Sequence, residues 1–211
     1  MPSSSDQQKD LETLLEALLT KNGPEGAVAV AVSGGSDSVA AALLTKIVAD
    51  RLKIPVIALT VDHGLRQEAK DEAQQVCDWA AGLDGDVTAH LMQWRADPEE
   101  TGNVQERARL GRYALMAEWC AENGVTLLMT GHHQDDQAET LLMRLGRGSG
   151  VDGLSAMRGR QQLQTATGDQ VTLLRPLLGV PKQALEQFAR AKNLPVADDP
   201  SNKAEKYARS R

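Results

Sequence analysis

The sequence predicts an α/β fold, with a doubly wound, mostly parallel sheet and helices on both of its faces. Short apolar segments alternate with segments of helical periodicity along most of the 211 residues. The first apolar segment, residues 27–32 (AVAVAV), is apolar at every position. Such a run is typical of a central parallel strand that is covered on both sides. Polar clusters follow three of the predicted strands, at the edge where doubly wound sheets bind ligands.

Each element follows from a local pattern. Apolar runs bounded by turn residues predict strands at 27–32, 56–61, 87–92 and 126–130, and a hairpin around Gly168 and Asp169. Helical spacing of apolar residues predicts helices near 6–20, 38–52, 67–81, 103–122, 137–145 and 181–193. The alternation of strands and helices implies right-handed crossovers, and therefore a parallel sheet. We expect an N-terminal helix (1–26) packed on one catalytic domain (27–195), followed by the start of a linker (196–211).

Composition excludes several classes of protein. Hydrophobic residues make up 41% of the chain, which argues against disorder. Only two cysteines occur, Cys77 and Cys120, and they form no C-x-x-C pair, which argues against a disulfide framework or a zinc ribbon. The first residues lack the pattern of a signal peptide, and no apolar run approaches the roughly 20 residues of a membrane helix. We therefore expect a cytoplasmic protein with no membrane partner.

The segment SGGSDS at residues 33–38 joins the first predicted strand to a helix. Glycine lets a ligand approach the backbone closely, and a helix N-terminus attracts anions. Phosphate is the natural occupant of such a turn, and Asp37 can help to hold a magnesium ion that bridges phosphates. The alternative is an ordinary strand–helix turn with serine caps. The segment is not a Walker A loop, because G-x-x-x-x-G-K-[ST] occurs nowhere in the chain.

Two further pairs of residues suggest a site, and each has a structural alternative. Arg109 and Arg112 are three residues apart on one helix, so both can reach a shared site or simply be solvated. Asp136 and Glu139 can bind or deprotonate an amine, but their spacing also fits an N-cap carboxylate with Glu at N3. Asp62 ends the second strand, where a ribose-binding acid or a plain turn is expected.

The SGGSDS segment resembles the PP-loop of the N-type ATP pyrophosphatases, and the remaining motifs narrow this resemblance. The chain is similar to tRNA(Ile)-lysidine synthetase in the order and spacing of four stretches: VDHGLR (61–66), GNVQERARLGRY (102–113), GHHQDDQAETLLMRLGRGSGVDGLSAM (131–157) and RPLL…DDPSN (175–202). The long second-to-last stretch is the specific one. The PP-loop alone indicates only the superfamily.

The resemblance implies a ligase that uses ATP and Mg²⁺ to join free L-lysine to C2 of the wobble cytidine of tRNA(Ile) with a CAU anticodon. ATP adenylates the C2 oxygen, and the lysine ε-amine then displaces AMP. We expect catalytic roles for Asp37, Arg109, Arg112, Asp136 and Glu139. We expect ATP contacts from Ser33, Gly34, Gly35, Ser36, Asp37, Ser38, Asp62 and His132, with Asp37 also binding the metal.

The resemblance also bears on partners and on alternative activities. Family members carry further C-terminal domains that help to bind tRNA, and PP-loop domains commonly form homodimers. Basic residues flank the glycine-rich loop 146–153 and can meet the tRNA backbone or stay solvated: Arg144, Arg147, Arg158 and Arg160. The alternatives are a PP-loop tRNA thiolase, a PP-loop amide synthetase, and an ATP-binding module without chemistry.

Overall fold

A computed structural model describes residues 4–24, 26–62, 67–95, 104–146 and 156–196 of the protein. The helices are α1 (Ser4–Asn22), α2 (Ser36–Leu52), α3 (Gln67–Ala81), α4 (Val104–Glu122), α5 (Gln134–Gly146) and α6 (Lys182–Ala191). The strands are β1 (Val28–Ala31), β2 (Val56–Asp62), β3 (Val87–Gln93), β4 (Leu127–Met129), β5 (Arg160–Gln164) and β6 (Gln170–Leu174). Within these residues, no helix is long and apolar enough to cross a membrane.

The six strands form one sheet in the order β3-β2-β1-β4-β6-β5. The first five strands of this order run parallel, and β5 pairs antiparallel with β6 in the predicted hairpin. The chain moves outward from β1 to β2 and β3, and then returns to place β4 on the other side of β1. The point where the direction reverses therefore lies between β1 and β4. The predicted doubly wound α/β fold is confirmed.

Both faces of the sheet are buried, because successive strand residues point to opposite sides. Val28 and Val30 of β1 join the core beneath α1, α2 and α6, whereas Ala29 joins the core beneath α4. The same alternation separates Leu127 from Leu128 in β4. Because helices cover both faces of the sheet, the strands are apolar at successive positions.

The N-terminal helix packs on α2, as expected from its leucine spacing. Leu15 and Leu19 are fully buried. At the surface of this contact, Arg51 of α2 pairs with Glu12 and Glu16 of α1. The expected domain boundaries themselves stay predictions, and the linker expected at 196–211 lies almost entirely outside the described residues.

Helix α2 begins two residues earlier than predicted, at Ser36 rather than at residue 38. Gly35 takes the extended conformation of an N-cap, and no side chain caps the helix. Asp37 and Ser38 therefore lie in the first turn of α2, so that the helix N-terminus itself opens toward the space beyond β1.

A close backbone contact joins the loops that follow β1 and β4. A Cβ atom at Gly131 would lie 2.6 Å from the carbonyl oxygen of Asp37 and 3.1 Å from the Cα of Ser38. Only glycine allows this approach, because a real Cβ atom does not come so near to backbone atoms. The contact brings the start of α2 against the loop 130–133.

We predict that Gly131→Ala lowers the free energy of unfolding by about 1–3 kcal/mol, because the added methyl group forces the two loops apart. Gly146→Ala is the matched control, since a Cβ atom there meets nothing within 4 Å, and its effect should stay within about 0.5 kcal/mol. Urea unfolding measures both. Equal stability of the two variants would contradict the close contact.

Candidate active site

A cleft opens beyond the carboxyl ends of β1, β2 and β4, on the side of the sheet that α4 covers. Its lining comes from four parts of the chain: the β1–α2 turn, two residues of β2, one turn of α4, and the β4–α5 loop. The residues concerned are Ala31, Val32, Ser33, Gly35, Asp37, Ser38, Leu59, Val61, Arg112, Tyr113, Met116, Thr130, Gly131, His132 and Asp136. The cleft thus lies at the reversal point of the strand order, where doubly wound sheets bind their ligands.

The turn 33–38 is held in shape by Ser38. Its hydroxyl donates to the carbonyl of Gly35 at 2.9 Å and accepts from the backbone N–H of Ser33 at 3.1 Å. Gly34 has a φ of +90°, a conformation that L side chains rarely adopt. The Ser38 hydroxyl also accepts from the Ser33 hydroxyl at 3.2 Å, so both hydroxyls hold the turn and backbone N–H groups are left to face the cleft.

His133 connects the carboxylates of Asp37 and Asp136. Its Nε2 lies 3.2 Å from Oδ2 of Asp37, and its Nδ1 lies 3.5 Å from Oδ2 of Asp136. The backbone N–H of His133 also donates to that Asp136 oxygen, at 2.9 Å. The imidazole is only 4% exposed. One buried ring therefore joins the first turn of α2 to the first turn of α5.

The charges of this cluster support one another. Burial alone would lower the pKa of His133, but the hydrogen bond to Asp37 and the charge of Asp136 outweigh burial and raise it. Burial likewise favours a raised pKa at Asp37, yet the hydrogen bond and charge of His133 hold the pKa of this carboxyl below its usual value. The stabilisation from Asp37 is lost as the pH falls through its pKa. The stabilisation from His133 is lost as the pH rises through its own.

His132 lies beside this cluster but is held neutral. Its Nδ1 lies 2.8 Å from the Thr130 hydroxyl, and its Nε2 lies 3.3 Å from the Tyr113 hydroxyl. Burial, and then the charges of Arg175 and Arg112, lower its pKa to about 3. The ring can therefore accept or donate hydrogen bonds at neutral pH without adding a charge to the cleft.

Arg112 supplies a cation to the cleft and Arg109 does not line it. The Arg112 guanidinium lies 5.4 Å from the centre of the Tyr113 ring, and its buried Nε has no hydrogen-bond partner. Among the described residues, no carboxylate pairs with it. Arg109 is exposed, although its charge still acts on His132. A half-buried guanidinium that lines a cleft and has no carboxylate partner is suited to an anionic ligand.

The start of α5 differs from the alternative in which Asp136 is the N-cap and Glu139 is at N3. The helix begins at Gln134, so Asp136 is in its first turn and is not the N-cap. His133 takes the N-cap position, where its Nδ1 lies 3.4 Å from the backbone N–H of Asp136. Asp135 turns away and accepts from the backbone N–H of Lys182 at 3.4 Å, whereas Asp136 lines the cleft. Glu139 is half-buried one turn further along and does not line the cleft.

Other predicted residues lie beside the cleft or beyond the described residues. The side chains of Leu59 and Val61 line the cleft, so alternation along β2 turns the buried Asp62 to the other face of the sheet. Arg158 and Arg160 are exposed near the start of the edge strand β5, and Arg144 is half-buried on α5. Arg147, the last four residues of the motif VDHGLR and the whole motif DDPSN lie outside the described residues.

Sequence reasoning missed three lining or supporting residues. Tyr113 and Thr130 hold the two ring nitrogens of His132. Arg175, which is 7% exposed, anchors the start of the hairpin by donating to the carbonyl of Arg158 at 2.9 Å. One signal was available for Tyr113, because it is one of only two tyrosines and directly follows Arg112.

Neither cysteine belongs to the cleft. Cys77 and Cys120 are free and buried, in α3 and α4 respectively. Burial raises the pKa of Cys120 to about 12, and burial followed by the charge of Asp78 raises the pKa of Cys77. Thiols with raised pKa values are poor nucleophiles at neutral pH.

A profile of the PP-loop domain family matches residues 5–211, almost the whole chain. The chain belongs to the PP-loop domain family. Its SGGSDS turn is the PP-loop, at the position in the fold where the sequence predicted it. The motif-based resemblance to the N-type ATP pyrophosphatases is confirmed.

Curated relatives of this PP-loop protein are tRNA(Ile)-lysidine synthases. The protein from Ruegeria pomeroyi is 43% identical over 201 residues, which cover 95% of this chain and 46% of the relative. The protein from Zymomonas mobilis is 45% identical over 88% of this chain and 54% of its own length. The chain thus spans about half the length of these relatives. The more specific resemblance, to tRNA(Ile)-lysidine synthetase, is confirmed.

Solved structures share the fold at low identity. The U34-tRNA thiolase NcsA from Methanococcus maripaludis, with its [4Fe-4S] cluster, superposes with a TM-score of 0.71 at 21% identity, over 93% of this chain and 67% of that one. The NH3-dependent NAD synthetase from Campylobacter jejuni gives 0.58 at 17% identity, over 92% and 75% of the two chains. These likenesses support the PP-loop fold and carry no argument about the reaction.

We predict that the two neighbouring histidines titrate differently. The His132 ring should stay neutral from pH 5 to pH 9, because its pKa is about 3. The His133 ring should titrate above the usual histidine value of about 6.5. Side-chain ¹⁵N chemical shifts, assigned with His132→Gln and His133→Gln, measure both. A His132 ring that titrates near pH 6.5 would contradict the described contacts.

Proposed function

We propose that the protein is the catalytic PP-loop domain of a tRNA(Ile)-lysidine synthase. It uses ATP to join L-lysine to C2 of the wobble cytidine of tRNA(Ile) with a CAU anticodon, releasing AMP and pyrophosphate. One observation carries the proposal: a single cleft brings the PP-loop, the unpaired Arg112 and the carboxylate of Asp136 together. The 43–45% identity to curated synthases over most of the chain supports this reaction over others of the family.

The PP-loop is suited to the pyrophosphate end of ATP. Backbone N–H groups at the start of α2 can donate to phosphate oxygens, and the Ser33 hydroxyl can do so by exchanging its contact with Ser38 for one with a phosphate. Gly34 has a positive φ and no side chain, which lets the phosphates approach the backbone. The partial positive charge of the helix N-terminus then stabilises the charge that develops on the departing pyrophosphate.

A magnesium ion fits this end of the cleft. Magnesium is usually held by one or two carboxylates together with substrate phosphates, and Asp37 supplies such a carboxylate. Among the described residues, no group of three or more His, Cys, Asp or Glu side chains is placed to hold a metal without a ligand's help. Asp37 would hold the ion against the phosphates, where it would neutralise negative charge. Because Oδ2 of Asp37 contacts His133, Oδ1, which accepts from the Ser36 hydroxyl, would be the oxygen for the metal.

The other end of the cleft is suited to the cytidine and the amine. In the first step the C2 oxygen attacks the α-phosphorus of ATP and pyrophosphate leaves. In the second step the lysine ε-amine attacks C2, AMP leaves with the C2 oxygen, and the amine loses a proton. Arg112 and Asp136 both line the cleft. In the proposed reaction Arg112 stabilises phosphate charge in both steps, and Asp136 binds the ammonium or accepts its proton. We also propose that Glu139 is a second carboxylate that binds the amine. Arg109 would act on the phosphates by its charge, from a longer distance.

The remaining partners follow from the proposed reaction. Exposed Arg158 and Arg160 provide positive charge near the hairpin for the tRNA backbone. The chain spans about half the length of these curated relatives. A cytoplasmic location and a homodimer stay predictions.

The tRNA thiolase alternative needs reactive cysteines or a cluster. This chain has two cysteines, both buried outside the cleft with raised pKa values. Thiol chemistry in the cleft is therefore not supported by its lining, which contains no sulfur other than that of Met116.

The proposed function is tested by AMP release from Mg·ATP in the presence of tRNA(Ile) bearing a CAU anticodon. We expect release that depends on lysine, with labelled lysine retained on the tRNA, and no comparable release with arginine or ornithine. AMP release that does not depend on which amino acid is present would contradict the proposal. So would lysine that does not become attached to the tRNA. The assay should also be run with the full-length relative from Ruegeria pomeroyi as a positive control.

We predict that Arg112→Ala lowers kcat/KM about 100-fold, the usual cost of losing one charge-stabilising donor from an active site. Arg109→Ala is the matched variant on the same helix. It should lose less than about tenfold, because its exposed charge is screened by solvent. Lysine-dependent AMP release at equal tRNA concentration measures both. A larger loss for Arg109→Ala would contradict the placement of these two cations.

A further inference from the structure

We infer that His133 is a positioning residue that couples the nucleotide half of the cleft to the nucleophile half. The inference deepens the proposed function and rests on it for the roles of the two halves. Asp37 belongs to the PP-loop and Asp136 belongs to α5, and they are 99 positions apart in the sequence. The imidazole of His133 contacts both carboxylates, at 3.2 Å and 3.5 Å.

The link is rigid because its surroundings leave the ring little freedom. His133 is 4% exposed, and the adjacent Gly131 is pressed against the backbone of Asp37. Asp136 fixes the residue twice, through the backbone N–H of His133 at 2.9 Å and through contacts to Nδ1. A displacement of Asp136 therefore moves the ring that orients Asp37.

The Asp37 carboxylate is oriented by this link and by one hydrogen bond from a neighbouring residue. Its Oδ2 faces Nε2 of His133, and its Oδ1 accepts from the Ser36 hydroxyl at 3.2 Å. Lys182, at the start of α6, acts on both Asp37 and His133 by charge but forms no ion pair with Asp37 within 4 Å. Loss of the His133 contact would leave the carboxylate held by the Ser36 hydroxyl alone, and it could then rotate away from the phosphates more easily.

The alternative is that His133 serves only as the N-cap of α5. Two conservative variants separate these roles. Asparagine is a good N-cap and places an oxygen near the position of Nδ1, but it is too short to reach Asp37. Glutamine reaches the position of Nε2 but is a poorer cap. A positioning role therefore ranks glutamine above asparagine in nucleotide affinity, and a capping role ranks them in the opposite order.

The experiment measures the affinity of the whole chain for Mg²⁺ with α,β-methylene-ATP, which cannot release pyrophosphate, by titration calorimetry. We expect about tenfold weaker binding for His133→Asn and a loss within about threefold for His133→Gln, in the range of measured coupling between contacting residues. His90→Ala is the control, because it removes a histidine from the exposed side of β3. Its affinity should match the wild type.

A double-mutant cycle completes the test. Asp136→Asn should weaken nucleotide binding about fivefold in the wild type, but by less than about twofold when His133 is already Asn, because the link is gone. Equal factors in both backgrounds, unchanged or tighter binding by His133→Asn, or His133→Asn binding better than His133→Gln would each overturn the inference. Thermal unfolding of each variant identifies losses caused by misfolding. Should His133→Asn prove unfolded, His133→Gln decides, because a loss well beyond threefold in a folded variant that still reaches Asp37 would overturn the inference.

The experiments can contradict the proposed function and the role of His133 independently of each other. A chain that shows this coupling but releases no AMP with lysine and tRNA would overturn the proposed function and leave the role of His133 in place. A chain that makes lysidine while the two variants act independently would overturn only the role of His133. Absence of nucleotide binding in the wild type would overturn both.

Discussion

The parallel pairing of β1 with β4 is the constraint on which the site depends. The pair places the carboxyl ends of two strands side by side, although about 100 residues separate them in the sequence. The glycine at position 131 then lets the two following loops touch through their backbones. All cleft residues that come from the PP-loop or from the β4–α5 loop owe their proximity to this one contact.

The distribution of charged groups around the cleft follows from the same pairing of β1 with β4. The helices α2, α5 and α6 begin near one another, and the carboxylates of Asp37, Asp135 and Asp136 lie at these beginnings. Helix N-termini favour negative charge, which offsets the cost of placing acids close together. His133 lies among them with a raised pKa, and His132, one residue earlier, stays neutral with a lowered pKa. The pKa values of two adjacent residues of one loop are thus shifted in opposite directions, because burial and then cationic neighbours act on His132, whereas carboxylates act on His133.

The fold was predictable from the sequence, and the site only in part. Continuous apolar strands and polar clusters after them were enough to place the PP-loop, His132 and Asp136 at one edge of a parallel sheet. The start of α2 was misplaced by two residues because its N-cap is a glycine without a capping side chain. The role of His133 was not predictable, because it depends on a contact with α2 that no local pattern encodes. Tyr113 offered one signal, its position directly after Arg112, but its contact with His132 depends on how α4 packs against the β4–α5 loop. The alternation along β2 turned Asp62 away from the cleft.

Amide hydrogen exchange with and without Mg²⁺ and α,β-methylene-ATP tests most directly whether the two loops form one nucleotide site. Backbone amides of residues 33–38 and of residues 131–136 should gain protection together as the nucleotide binds, because ordering of one loop is passed to the other through Gly131 and His133. Protection confined to residues 33–38, with unchanged exchange at residues 131–136, would contradict the account.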